Sequence, residues 1–190
     1  QAFDAIIMCT GYQFHFPFLP DELRLDTHNC LYPDNLYKGI FFQSNPKLIY
    51  LGMQDQWFTF NMFDAQAWYA RDVIMGKIQL PDEASRRKDM DAWLQRYEQS
   101  STDSQCIDFQ ASYIADLVGA TDYPEFPVQQ QADLFKQWQE DKKADIMGFR
   151  NKVYRSTITG TMGAQLPRPW LDIKDDSLEG FMSLKFKEVA

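Results

Sequence analysis

The chain has 190 residues, 45% of them hydrophobic and 15% aromatic, enough for a real core in one large or two small domains. Its formal net charge of −8, with no basic cluster longer than "KK" or "RRK", argues against nucleic acid or an anionic membrane as partner. No apolar run approaches the roughly 20 residues that a membrane-spanning helix needs, and the start lacks the basic stretch and small-residue cleavage site of a signal peptide.

In chain order, the first sixty residues read as strands. Ala2 to Cys9 is one, with Ile6, Ile7, Met8 and Cys9 reading as buried on both faces. Ile40 to Phe42 is a short one, and "KLIYLGM", Lys47 to Met53, is another that ends at a glycine turn. Pro17, Pro20, Pro33 and Pro46 punctuate the loops between them.

The remainder reads as helix. Asn61 is the expected N-cap of a helix from Met62 to Met75, with Phe63, Ala67, Ala70 and Ile74 at helical spacing and Gly76 as the stop. Pro81 and Asp82 open a second, more solvated helix to about Tyr97. Ser104 to Val118 forms a third, and Pro127 opens a fourth through Trp138 to about Lys143. Beyond Asn151 the chain reads as irregular.

Strands followed by helices, with no helix between the first two strands, cannot build a parallel doubly wound sheet alone. The strand candidates therefore read as the last strands of a sheet whose other members lie on a different segment. Three cysteines, an odd number with no C-x-x-C, fit a reducing cytoplasm better than a disulfide framework.

Two stretches are candidate ligand edges. "CTGY" places Gly11 and Tyr12 at the carboxyl end of a strand, where a backbone without Cβ can approach a ligand; taken alone, a tight turn after a core strand is the simpler reading. "LGMQDQWFTFNMFDAQA" runs from a strand through Asp55, Gln56 and Trp57 into a helix start, which offers free N–H groups to an anion or a carbonyl oxygen. An ordinary capped connection is the alternative. Trp138 is either a core aromatic or an aromatic wall for a small amine. The two histidines, His15 and His28, have no metal-ligand spacing, G-x-S-x-G does not occur, and no glycines stand in G-x-G spacing. No metal ligand and no proton-transfer catalyst is expected.

The residues also resemble a known family. "FDAIIMCTGYQFHFPFL" is similar to the strand and turn that carry the alanine-threonine-glycine-tyrosine motif of flavin-containing monooxygenases, with Cys9 in place of the usual alanine. "NLYKGIFF", "GMQDQWFTFNMFDAQAWYARDVIMG", "ATDYPEF" and "YRSTITGTM…PW" resemble the bacterial trimethylamine monooxygenase branch. The resemblance implies the closing part of an α/β, Rossmann-like FAD-binding domain with few strands over 1–60, then a mostly helical region over 61–190. It implies FAD and NADPH as cofactors and oxidation of trimethylamine to its N-oxide by O2. Both glycine-rich fingerprints would come from an N-terminal half or large subunit, in a heterodimer or higher assembly. By motif match, Asp55, Trp57 and Trp138 would meet the substrate. Gln56, Thr59, the Asn61 and Met62 N–H groups and Tyr12 would meet the cofactor. A non-catalytic stabilising subunit of a flavoprotein, or the same chemistry on sulfides or ketones, are the alternatives.

Overall fold

The computed structural model describes residues 5–9 and 14–163. After a short 3-10 turn, Asp21–Leu23, two strands, β1 (Leu36–Tyr37) and β2 (Phe41–Phe42), form an antiparallel hairpin. Four helices follow: α1 (Thr59–Ile74), α2 (Glu83–Glu98), α3 (Asp103–Gly119) and α4 (Val128–Ala144). In the hairpin, Leu36 faces Phe42 and Tyr37 faces Phe41. Its turn residues, Lys38 and Gly39, have φ of 54° and 62°, the mirror-image turn that matches strand twist. Glycine suits position 39 because the φ is positive and a Cβ there would stand 2.1 Å from Gln54 Nε2 and 2.8 Å from the Tyr113 hydroxyl.

The expected strand over Lys47–Met53 is reduced to one bridge, between Ile49 and Phe41, flanked by Phe42 N–H to Leu48 C=O and Tyr50 N–H to Ile40 C=O. Gly52, at φ 74°, then turns the chain, and Leu51 is exposed. Within the described part of Ala2–Cys9 no strand forms, and Ile6, Ile7 and Met8 are 77%, 87% and 75% exposed. An extended run needs a partner to pair with, and among the described residues these segments meet none beyond that bridge.

α1 starts at Thr59, three residues before the expected Met62. Phe58 occupies the cap position without a side-chain cap bond; it is buried and its ring meets that of Phe135 at 5.0 Å. Asn61 is not the N-cap: it lies inside the first turn, its N–H on Phe58 C=O at 2.9 Å. The end is as expected. Gly76 bonds back to Val73 and Lys77 to Asp72, the paired bonds of a Schellman stop. The buried face runs through Met62, Ala65, Gln66, Tyr69, Ala70 and Asp72, so Ala67 and Ile74, expected inside, are exposed. Two polar residues on the inner face hid the true phase.

α2 is capped by Asp82, whose side chain accepts from Ser85 N–H at 2.7 Å. α3 begins with a capping box between Thr102 and Gln105. α3 is the central helix and packs on α1, α2 and α4. One hydrophobic cluster joins Tyr32, Tyr37, Ile40 and Phe41 of the strand region to Met62, Trp93, Ile107 and Ile114 of the helices. Strand unit and helices thus share a core. No helix among the described residues is long and apolar enough to cross a membrane.

Candidate active-site cleft

A cleft of about 340 Å³ opens between the entry to α1, one face of α4 and the segment after it. Gln56, Trp57, Thr59, Leu134, Phe135, Trp138 and Tyr154 line it. Leu134, Phe135 and Trp138 stand at i, i+1 and i+4, so one helical face presents all three. Four of the seven linings are aromatic, and none is charged.

Each wall is held from behind. The Trp138 ring meets Phe149 edge-on at 5.3 Å, and Lys142 Nζ lies 5.4 Å from its centroid. The Tyr154 hydroxyl donates to Asp141 Oδ2 at 2.7 Å, and Lys152 Nζ holds the other oxygen at 2.7 Å. Burial first, and then that carboxylate, push the Tyr154 phenol up to about 12. The Lys152 and Tyr154 hydrogen bonds hold the Asp141 carboxyl below the usual carboxylate range.

The loop that carries Gln56 and Trp57 is anchored by buried amides. Gln110 Oε1 accepts from Trp57 N–H at 2.9 Å, and Gln110 Nε2 donates to the Asp55 carbonyl. Asp55 N–H donates to Cys30 C=O at 2.7 Å. Just upstream, Gln66 Oε1 accepts from Gly52 N–H, and Gln66 Nε2 donates to Gln54 Oε1 and to the Tyr113 hydroxyl, each at 2.8 Å. Tyr113 in turn donates to Lys38 C=O at 2.7 Å.

Of the residues expected at a site, the structure brings Gln56, Trp57, Thr59 and Trp138 together in this cleft. Trp138 is thereby a wall residue backed by Phe149. Asp55 stands beside the cleft rather than in it; its side chain is exposed and accepts from Gln56 N–H at 3.0 Å. Met62 is 0% exposed, with its side chain in the core and its N–H directed at Phe58 C=O. Its amide and that of Asn61 are therefore engaged, because the helix begins earlier than the asparagine signalled. Among the described residues, the N–H groups left unbonded at this helix start are those of Thr59 and Phe60. The Asn61 side chain borders a different groove, with Leu51, Phe60, Phe63, Asp64 and Ala67. Tyr12 lies outside the described residues.

Leu134, Phe135 and Tyr154 were not anticipated. The first two were legible from their helical spacing to Trp138, whereas Tyr154 joins the wall only through its bond to Asp141. Gln66 and Gln110 gave no signal, since a glutamine in a helix normally reads as solvated.

The flavin-binding monooxygenase-like family model matches residues 1–136. The chain is 56% identical over 95% of its length to a trimethylamine monooxygenase of Methylocella silvestris, and spans 40% of that relative. It is 48% identical over 96% of its length to one of Pelagibacter ubique, and spans 41% of it. A crystal structure of Tmm from a Pelagibacter species superposes with a TM-score of 0.83 at 47% identity, covering 91% of this chain and 39% of that one. The mostly helical architecture with its small strand unit is thus a partial α/β flavoprotein fold, about two fifths of the length of the relatives it matches, and the chain belongs to the flavin-binding monooxygenase-like family.

Proposed function

We propose that this chain supplies the closing wall of the flavin and amine site of a trimethylamine monooxygenase. In this reading it is the C-terminal portion, and it acts with an N-terminal portion or partner that carries the dinucleotide-binding loops for FAD and NADPH. The observation that carries the proposal is the cleft itself: Trp57 and Thr59 at the start of α1 and Trp138 on α4 meet around one apolar space. The exposed run Ile6–Ile7–Met8 fits the same reading, because three consecutive bare apolar side chains call for a covering segment. The division near residue 60 and a cytoplasmic setting with free thiols belong to the proposal as well.

The residues present fit a flavin. Gln56 Oε1 is buried with no hydrogen-bond partner among the described residues, an acceptor that awaits a donor. The Thr59 and Phe60 N–H groups, at the positive end of α1, suit a ring carbonyl oxygen. When bound, the flavin supplies the redox chemistry that activates O2 with electrons from NADPH.

The chain's own residues bind, orient and keep water out. Overall, trimethylamine, O2, NADPH and a proton give trimethylamine N-oxide, NADP⁺ and water, and the new bond joins nitrogen to one oxygen atom. The amine must arrive with its lone pair free. Around a cleft with no charged lining residue, a trialkylammonium gains about 2 kcal/mol per desolvated aromatic face. Dehydrating an ion costs several kcal/mol. With four aromatic rings in the lining the two effects are of similar size, so the reacting form is set by the chemistry, which needs the lone pair of the free base, and Trp57, Phe135, Trp138 and Tyr154 enclose its methyl groups.

The test is reconstitution of this chain with the N-terminal portion, FAD and NADPH, followed by measurement of amine-dependent NADPH oxidation and N-oxide. Turnover that needs both portions supports the proposal. Flavin reduction and oxygen use that are identical with and without this chain contradict it.

A further inference from the structure

Gln110 is 0% exposed and lies on the inner face of α3, among Phe109, Ala111 and Ile114. A carboxamide in such a place costs free energy unless its donor and acceptor are both satisfied. The oxygen and one N–H of the amide are, both by the same loop. Its oxygen takes the Trp57 N–H at 2.9 Å and its nitrogen gives to the Asp55 carbonyl, so the side chain brackets Gln56 from either side. This is the pattern by which a peptide group of a neighbouring strand would pair with an extended segment. Gln110 itself does not line the cleft, whereas the two residues it brackets or bonds, Gln56 and Trp57, do.

We propose that Gln110 is a positioning residue of the cleft: its buried amide replaces a missing strand neighbour and fixes the direction in which Gln56 and Trp57 face bound ligands. The inference rests on the functional reading above for what those ligands are, though not for the clamp itself. The Asp55 N–H to Cys30 bond anchors the loop's other edge, so Gln110 holds the side that would otherwise be free to swing. An apolar residue of equal size would fill the space and release both backbone groups. A glutamate would keep the acceptor and, once ionised, lose the donor.

The experiment uses the FAD-loaded enzyme assembled from both portions, as wild type, Gln110→Met and, as a control, Leu117→Ala. Leu117 lies on the same helix, is buried in the core and is not among the residues that line the cleft. Three quantities are read, the hydrogen exchange of the Trp57 amide and the separate kcat and KM for trimethylamine. In wild type the Trp57 amide should be as protected as interior amides of α3. In Gln110→Met its exchange should rise at least about tenfold, the loss of roughly one hydrogen bond. KM should rise about fivefold to tenfold, with a smaller fall in kcat. Leu117→Ala should lower stability and leave KM unchanged.

A wild-type Trp57 amide exchanging as an open loop overturns the clamp even if Gln110→Met does not fold. So does an unchanged KM in a folded Gln110→Met. An enzyme that turns over no trimethylamine while Trp57 remains protected by Gln110 would sink the functional reading and leave the clamp standing.

Discussion

Tyr154 donates its phenolic hydrogen to Asp141 at 2.7 Å, and Asp141 lies one turn of α4 beyond Trp138. One carboxylate thus ties the segment after α4 to the helix that supplies the aromatic wall, and Lys152 completes the knot at 2.7 Å. Asp141→Asn should loosen Tyr154 without emptying the cleft. We expect KM for trimethylamine to rise about twofold to fivefold, with FAD content unchanged, in steady-state assays on the assembled enzyme.

The same knot has a pH dependence of known sign. The Asp141 carboxyl is held below its ordinary value, by the Lys152 hydrogen bond first and then by that of Tyr154. A carboxylate with a lowered folded-state pKa stabilises above its unfolded value, about 3.9, and that contribution is lost as pH falls below it. The stability difference between wild type and Asp141→Asn, read by urea denaturation, should therefore shrink as pH drops through about 4. A difference that grows on acidification would contradict it.

Asn61 and Thr102 make a matched pair of helix-start substitutions. Thr102 accepts from Gln105 N–H and belongs to a reciprocal capping box, whereas Asn61 lies past the start of α1. Thr102→Ala should cost about 1 kcal/mol in thermal or chemical denaturation, and Asn61→Ala should fall within about 0.5 kcal/mol of wild type.

Much of the helical part was legible in the sequence because its boundaries are chemical. Asp82, Thr102 and Gly76 act through groups the chain itself supplies, so α2, α3 and the end of α1 fall near their expected places. The start of α1 did not, because Phe58 fixes it by packing against Phe135, a contact across the fold that no local pattern announces. The strand region is less legible. Apolar runs such as Lys47–Met53 say that a segment wants burial and do not say what pairs with it. At the site, the aromatic residues were readable and their supports were not. Gln66 and Gln110 look solvated in sequence and become the most buried polar groups of the molecule's cleft region only once α1 and α3 pack together.

Gly39 tests the turn beneath that network. Alanine there would need a positive φ and would drive its Cβ into Gln54 Nε2 and the Tyr113 hydroxyl, the groups that organise Gln66. Gly39→Ala should destabilise by about 1–3 kcal/mol in chemical denaturation, with Gly160→Ala, which meets nothing within 4 Å, costing less.

In the proposed function, Trp138 walls the space where the amine meets the flavin. The most direct test of that role is the kcat and KM for trimethylamine of Trp138→Ala, in enzyme assembled from both portions with FAD content determined alongside. The expected result is a fall in kcat/KM of about 100-fold at unchanged FAD content, as the wall opens to water and the amine loses its orientation. Wild-type turnover from a fully folded, FAD-loaded Trp138→Ala would contradict it.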